Sequence, residues 1–382
     1  MLQSFIVYTI FGFCLFLLGS ISARRQVSNY NLNKNAPFWV WDIVLALLIF
    51  AFFSGVRWNV GVDHLHYLAN YLTVQNGGYS IFEKEYGFEF LTRLFADLRI
   101  HYSFYFGFLA FLQIFFIFRA FKDERYLYPF LGIIIIFGPE YLSWMNGIRQ
   151  MLAATIFLWA VQFIQKRQLY RYVMAIAIAS LMHKSALMLI AFYFIPQKDF
   201  FKNRIFTLCL FVLTIYLGTN NFWINNLNNI GGALEFLGYD KIAMRLDVLV
   251  EDVQIRTFGP RRLVLILIFI ITLWLSPKLK IYFKNTYFLT YYNLAIIGIL
   301  LYNLLGNTHH IFIRPITYLT IFSIPTTAYL LLYLKKNIRK YFLVFAFTLA
   351  LTLIYLPLSI IADYGKGKQD YTNYKFYWHN EY

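Results

Sequence analysis

The sequence predicts an all-α, multi-pass transmembrane protein, and three observations carry that prediction. Sixty per cent of the 382 residues are hydrophobic and only 14 per cent are charged. Apolar stretches of 14 to 21 residues recur from Leu2 to Pro357. No intervening stretch is both long and polar enough for a separate soluble domain, and helices let a chain satisfy its own backbone in lipid. A single integral membrane domain over residues 1–382 is expected, without internal repeats and with large outward loops near 56–102 and 220–262.

Spans are expected near 2–19, 39–55, 103–119, 126–139, 147–165, 171–182, 185–196, 205–219, 263–276, 287–302, 315–334 and 341–357, about 12 segments in all. Several are shorter than the roughly 20 residues that cross the hydrocarbon. The first has no base before it and Arg24 and Arg25 after it. A signal peptide has the opposite polarity, so this is read as a retained helix with its N-terminus outside. The inward gaps then hold 19 of the 34 Lys and Arg with only Asp123, Glu124 and Asp199 among the acids. The outward regions are nearly neutral, so the net charge of +16 is a topology signal rather than a nucleic-acid signal. Both termini fall on the outer side. If Tyr172 to Ile195 were one helix, every later basic gap would lie outside. Two short helices meeting at His183, Lys184 and Ser185 are expected instead, a hairpin with its tip at or below the outer surface.

Cys14 and Cys209 lie inside apolar runs, so cysteine chemistry is not expected. No HExxH motif, Gly-rich phosphate loop or nucleophile elbow occurs, which leaves metal-dependent and serine-type hydrolysis without support. No cofactor and no metal site are expected.

The residues suited to chemistry lie at outward helix starts. In EYLSWMNGIRQMLA, residues 140–153, Asn146 is placed to cap the fifth span and Arg149 stands in its first turn, beside Gly147 and Gln150. A cation there opposes the helix dipole and adds nothing to stability. Lys184, Arg261, Arg262 and Arg314 before Pro315 begin other inward-running spans in the same way. A positive dipole end with a basic side chain suits an anion such as phosphate or pyrophosphate, although an outer-face arginine is as often an anchor to lipid headgroups. Two candidate bases accompany them. Asp63 follows Arg57 and Trp58 at the end of the second span, where an ion pair with Arg57 is the plainer alternative. His183 occupies the hairpin tip, and its neutral imidazole can accept a hydroxyl proton. His64, His66, His309 and His310 carry no spacing that identifies a role, and Glu85 with Glu89 reads as the solvated face of a surface helix. Outward aromatics such as Trp58, Tyr67, Trp144 and Trp378 read as an interfacial belt.

Five segments occur in a familiar order: GVRWNVGVD (55–63) with Tyr67, EYGFEFL (85–91), MNGIRQMLA (145–153), ASLMHKSA (179–186) and RPITYLTIFSIP (314–325). Over roughly residues 50–330 this order resembles the EpsG-type, Wzy-like polysaccharide polymerases. Val62 stands where that family typically has Thr or Ser, while Asp63 is kept. The resemblance implies a GT-C-like glycosyltransferase of a bacterial inner membrane, polymerising O-antigen or capsule repeat units on undecaprenyl pyrophosphate at the periplasmic face. A flippase and a chain-length regulator are then expected partners. A pyrophosphate leaving group needs charge neutralisation, which Arg57, Arg149, Lys184 and Arg314 with Asn146 and Gln150 would supply. The acceptor hydroxyl needs a base, Asp63 or His183. Competing expectations are a single-addition lipid-dependent glycosyltransferase, a lipid-linked oligosaccharide flippase and a membrane acyltransferase. A flippase should line span centres with polar groups, whereas the charges here, apart from Asp42, cluster at membrane edges. An acyltransferase would draw its donor from the cytoplasmic side, away from most of these polar residues.

Overall fold

The computed structural model describes residues 1–28, 37–82, 85–220, 222, 226, 259–307, 310–363 and 373–379. In chain order the helices are α1 (Leu2–Ser28), α2 (Trp41–Gly55), α3 (His64–Gln75), α4 (Tyr86–Asp97), α5 (Tyr102–Ala120), α6 (Tyr128–Phe137), α7 (Glu140–Asn146), α8 (Ile148–Gln165) and α9 (Leu169–Met182). A 3-10 helix, Lys184–Phe194, follows. Then come α10 (Arg204–Thr219), α11 (Pro260–Tyr282), α12 (Phe288–Leu305), α13 (His310–Thr320), α14 (Ser323–Lys336) and α15 (Ile338–Asp363). Strands β1 (Arg57–Trp58) and β2 (Lys375–Phe376) form one two-stranded ladder.

This is a multi-pass, all-α membrane fold. Among the described residues seven helices are long and apolar enough to cross a membrane, and the pair Arg125–Phe137 and Glu140–Asn146, bent by 62°, makes eight. Four more apolar helices, Trp41–Gly55, Leu169–Met182, Lys184–Phe194 and Arg204–Thr219, fall below that length. The count by length and composition is therefore smaller than the expected 12, because the breaks and short helices are concentrated where the chain departs from straight spans.

α8 stands at the centre. It packs against α5, α9, α13 and the 3-10 helix, and only Arg149, Gln150, Trp159, Gln162 and Gln165 escape burial along it. A helix apolar on all sides has no other stable place. α1, α2 and α5 pack beside it as a layer. The α2–α5 crossing is made close by glycine: a Cβ on Gly55 would lie 2.3 Å from the Ser103 carbonyl oxygen and 3.0 Å from the Gly107 Cα. Small residues are the general means of bringing helix backbones together in lipid, where no hydrophobic force drives association.

The predicted hairpin is present. His183 is extended (φ −154°, ψ 117°) and ends α9, and the chain returns so that Tyr172 donates its hydroxyl to the Leu189 carbonyl at 2.5 Å. The return arm is 3-10 rather than α. At about 2.0 Å per residue its 11 residues extend roughly 22 Å, about a third further than an α-helix would carry them.

The segment 56–102 is folded onto the helices rather than standing free, with Tyr67, Leu68, Tyr71, Phe82, Phe88 and Ala96 all buried. The second expected loop, 220–262, lies largely outside the described residues. The C-terminal segment is a strap: Arg57 pairs with Phe376 and Trp58 with Lys375, antiparallel. Tyr374 is fully buried, donating its hydroxyl to the Phe53 carbonyl at 2.6 Å and its N–H to Ser4 Oγ at 2.9 Å. The beginning of α1, the end of α2 and the C-terminal strap thus meet at one end of the helices.

Replacing Tyr374 by Phe keeps the ring and leaves the Phe53 carbonyl without its donor. Thermal unfolding in detergent should show a loss of about 1 kcal/mol; an unchanged transition would mean the strap does not hold that end together.

Candidate functional site

The first loop is anchored by a buried arginine. Arg57 is 1 per cent exposed. It donates to the Ser54 carbonyl at 2.5 Å, the Val60 carbonyl at 3.2 Å and the Met145 carbonyl at 3.5 Å. Ser54 lies in the last turn of α2, where carbonyls lack intrahelical partners and a cation is favoured by the helix dipole. Arg57 makes no ion pair with Asp63, and three of its five N–H donors go to main chain.

Past it the backbone reverses at Gly61, with φ +97° and a would-be Cβ only 2.7 Å from Asn146 Oδ1, a place for glycine alone. The Val62 N–H donates to that same oxygen at 2.6 Å. Asn146 therefore caps the loop; the N-cap of α8 is Gly147. Asp63 begins α3, half-buried, with no side-chain capping bond, and forms no ion pair among the described residues. His64 is buried between Trp58 and Phe106. Burial, with the charge of Arg57 added, pushes its pKa down to about 3, so it is a neutral core residue. His66 is exposed.

The centre of the site is Glu85, which the solvated-face expectation misplaces. It is 7 per cent exposed. Its Oε2 accepts from Arg149 Nη1 and its Oε1 from His183 Nδ1. Gly87 makes this approach possible, since a Cβ there would lie 2.6 Å from the Met182 side chain and 2.7 Å from that of Leu181, at the end of α9. Burial alone would raise the Glu85 pKa; the hydrogen bond from His183 and the charge of Arg149 outweigh it and hold the carboxyl below its ordinary value of 4.5. Its companion Glu89 is half-buried and pairs with Arg93 one turn on at 2.6 Å.

Arg149 is caged. Its Nε donates to the Tyr67 hydroxyl at 3.3 Å, and its guanidinium carbon lies 3.9 Å from the Phe82 ring centre and 5.8 Å from those of Tyr67 and Phe88. The cation–π contacts and the Glu85 carboxylate offset the unfavourable place of a cation in the first turn of α8. Around this core, Gln150 donates to the Arg314 carbonyl and Ser185 shares a hydrogen bond of 2.9 Å with the Tyr318 hydroxyl. Lys184 and Arg314 are exposed. His309 lies outside the described residues.

All five sequence segments thus meet at one place, although with roles redistributed. Arg149, His183, Lys184, Gln150 and Arg314 come together; Asp63 reaches the cluster through Tyr67, whose hydroxyl feels both the Asp63 and Arg149 charges; Arg57 and Asn146 serve the loop beneath. Nothing in the local sequence singles out Glu85, because its two partners come from segments 64 and 98 residues away. Asn146 and Thr317 also line a neighbouring cavity of about 660 Å³, bounded by α7, α11, α12, α13, α14 and α15.

No curated protein and no solved structure matches this chain. The pattern of the EpsG family matches residues 40–376, a range that includes every residue of the Glu85 cluster, and the chain belongs to the EpsG family.

Proposed function

We propose that this membrane protein is a polysaccharide polymerase: a glycosyltransferase joining repeat units carried on undecaprenyl pyrophosphate, at the periplasmic face of a bacterial inner membrane. Family membership supports a role in polysaccharide biosynthesis, and the shared Glu85 carboxylate is the observation that carries the chemistry. An ionised carboxylate can only accept, so Nδ1 of His183 holds the proton of the neutral ring and Nε2 presents a lone pair. Such a pair is the arrangement by which a carboxylate orients a histidine base and stabilises the imidazolium that forms.

In the step proposed, Nε2 takes the proton of an acceptor sugar hydroxyl as its oxygen bonds to the anomeric carbon of the donor. The anomeric carbon–oxygen bond to pyrophosphate breaks, and the lipid pyrophosphate leaves with the electron pair. Arg149 has spent Nε and Nη1 and keeps Nη2 as a donor for a phosphate oxygen. Lys184 and Arg314, both exposed beside it, supply further positive charge. The reading makes His183 the base in preference to Asp63, whose side chain has no hydrogen-bond or ion-pair partner among the described residues. Counting the bent pair and the four short apolar helices as crossings gives about 12 segments and puts both termini on one side; in this reading that side is the periplasm and the plan is GT-C-like. A flippase and a chain-length regulator would complete the assembly.

The direct test is purified protein given its lipid-linked repeat unit. A ladder of products supports polymerisation, a single mass increment would show one-sugar transfer, and unchanged long-chain polymer in cells lacking the protein would end the proposal. Arg149→Ala should lower the rate on the order of 10²-fold with normal membrane insertion, and Arg149→Lys should restore only part of it, because the planar fork is lost. His183→Ala should cost roughly 10²- to 10⁴-fold while Asp63→Asn keeps most activity; the reverse ranking would transfer the role of base to Asp63. Glu85 also sets a pH limit. Because its folded pKa is depressed, its contribution to stability is complete above the ordinary value of 4.5 and is lost as pH falls through the folded value. Thermal stability of the wild type should fall on acidification below about 4.5 more steeply than that of Glu85→Gln, and parallel curves would remove Glu85 from the account.

A further inference from the structure

The cavity beside the site has a wall rich in hydroxyls whose protons are already committed. Six of the hydroxyls lining it, those of Thr272, Thr317, Thr320, Thr326, Thr352 and Ser359, donate to backbone carbonyls of their own helices at 2.7 to 3.3 Å. Bonding of this kind is common for Ser and Thr in membrane helices, and its consequence here is specific. A hydroxyl whose proton is committed can only accept, through its remaining lone pairs. Another, Ser323, donates to the carboxyl of Glu140 at 3.4 Å, and Glu140, 6 per cent exposed, also lines the cavity. Of the described residues around the cavity, the cationic ones, Arg261 and Arg262, stand together at the first turn of α11, and Arg261 is paired with Asp363 at 3.5 Å.

A phosphate brings acceptors alone and would meet acceptors at these seven hydroxyls and at Glu140, while the amide of Asn303 in the same lining can donate to a sugar oxygen. A polyol brings a donor on every hydroxyl. The volume, about 660 Å³, falls within the range of small-molecule sites. We infer that the cavity is a subsite for the uncharged, hydroxyl-bearing part of the substrate, with Glu140 and the acceptor hydroxyls of α13 and α14 holding sugar hydroxyls, while pyrophosphate is held outside it. This rests on the reading that the substrate carries a glycan. Glu140 then acts as a binding residue, separate from the Glu85 and His183 pair. Asn146, whose side chain lies in the cavity wall and also holds the loop before Asp63, joins the two places.

The test uses the full chain in nanodiscs with Cys14→Ser and Cys209→Ser, and with Ser143→Cys placed in the cavity wall as a target for a small maleimide. Two probes are compared: the lipid-free, phosphate-free oligosaccharide released by mild acid from the lipid-linked repeat unit, and inorganic pyrophosphate. The oligosaccharide should slow labelling several-fold and pyrophosphate should not. Glu140→Ala should raise the half-protecting oligosaccharide concentration roughly tenfold. The isosteric Thr320→Val, which keeps the shape of the wall and loses one acceptor, should raise it several-fold. Protection by pyrophosphate alone, absence of protection by the oligosaccharide, protection indifferent to both substitutions, or an introduced thiol that never labels would each overturn the inference. Ladder formation by the unsubstituted chain is read in parallel: its failure would count against the polymerase reading, whereas protection reports on the cavity alone.

Discussion

The fold around the site turns on one constraint, that a buried carboxylate must have its oxygens engaged. Glu85 satisfies it with two partners, Arg149 on one oxygen and His183 on the other. Removing either partner would leave the remaining charges poorly compensated in a place with little water, and breaking a buried pair in this way commonly costs about 3–5 kcal/mol. The same geometry that answers this demand also fixes the histidine ring. Orientation of the base and neutralisation of the first-turn arginine are therefore one interaction rather than two.

Much of the neighbouring structure serves that convergence. The hairpin tip delivers His183 from the end of α9, and the absence of a side chain at Gly87 lets the start of α4 reach it. Arg149 arrives on α8, a largely buried helix, and Phe82 covers its guanidinium. Below them Arg57 ties the end of α2 to the loop and to α7 through three carbonyls, and the strap from Tyr374 to Tyr377 closes over the same turn, with the Tyr377 N–H on the Val56 carbonyl at 3.0 Å. A rigid support of this kind matters where a reacting group must be placed to within a fraction of an ångström.

What the sequence made legible follows the range of the forces involved. Helix positions and the hairpin were readable because apolar length and the side preference of Lys and Arg are properties of local stretches. The order of the five segments was readable for the same reason, and it led to the family. Glu85 was not. Its spacing from Glu89, one helical turn on, gives the look of a solvated face, and only contacts from α8 and α9, 64 and 98 residues away, reverse it. Asn146 and Arg57 were misplaced by the same limit. A cap of the fifth span and an ion pair with Asp63 are local expectations, while the groups that claimed Asn146 and Arg57, the Val62 N–H and the Met145 carbonyl, are 84 and 88 residues distant.

The places where the helices depart from straight spans are also the places where polar groups gather. The bend between α6 and α7 and the reversal at His183 interrupt helices that an uninterrupted apolar run would have carried across, and a tight turn at Ile321 and Phe322 separates α13 from α14 within one span. Each interruption frees backbone groups, and within the hydrocarbon such groups are tolerated only where protein or a lined cavity surrounds them. Glu140 sits at the first of these breaks and Ser323 just past the third, and they meet across the cavity wall. The short and broken helices are thus the means by which a lipid-soluble chain keeps a polar chamber and a charged cluster side by side. Regular spans of full length would have had no position for either.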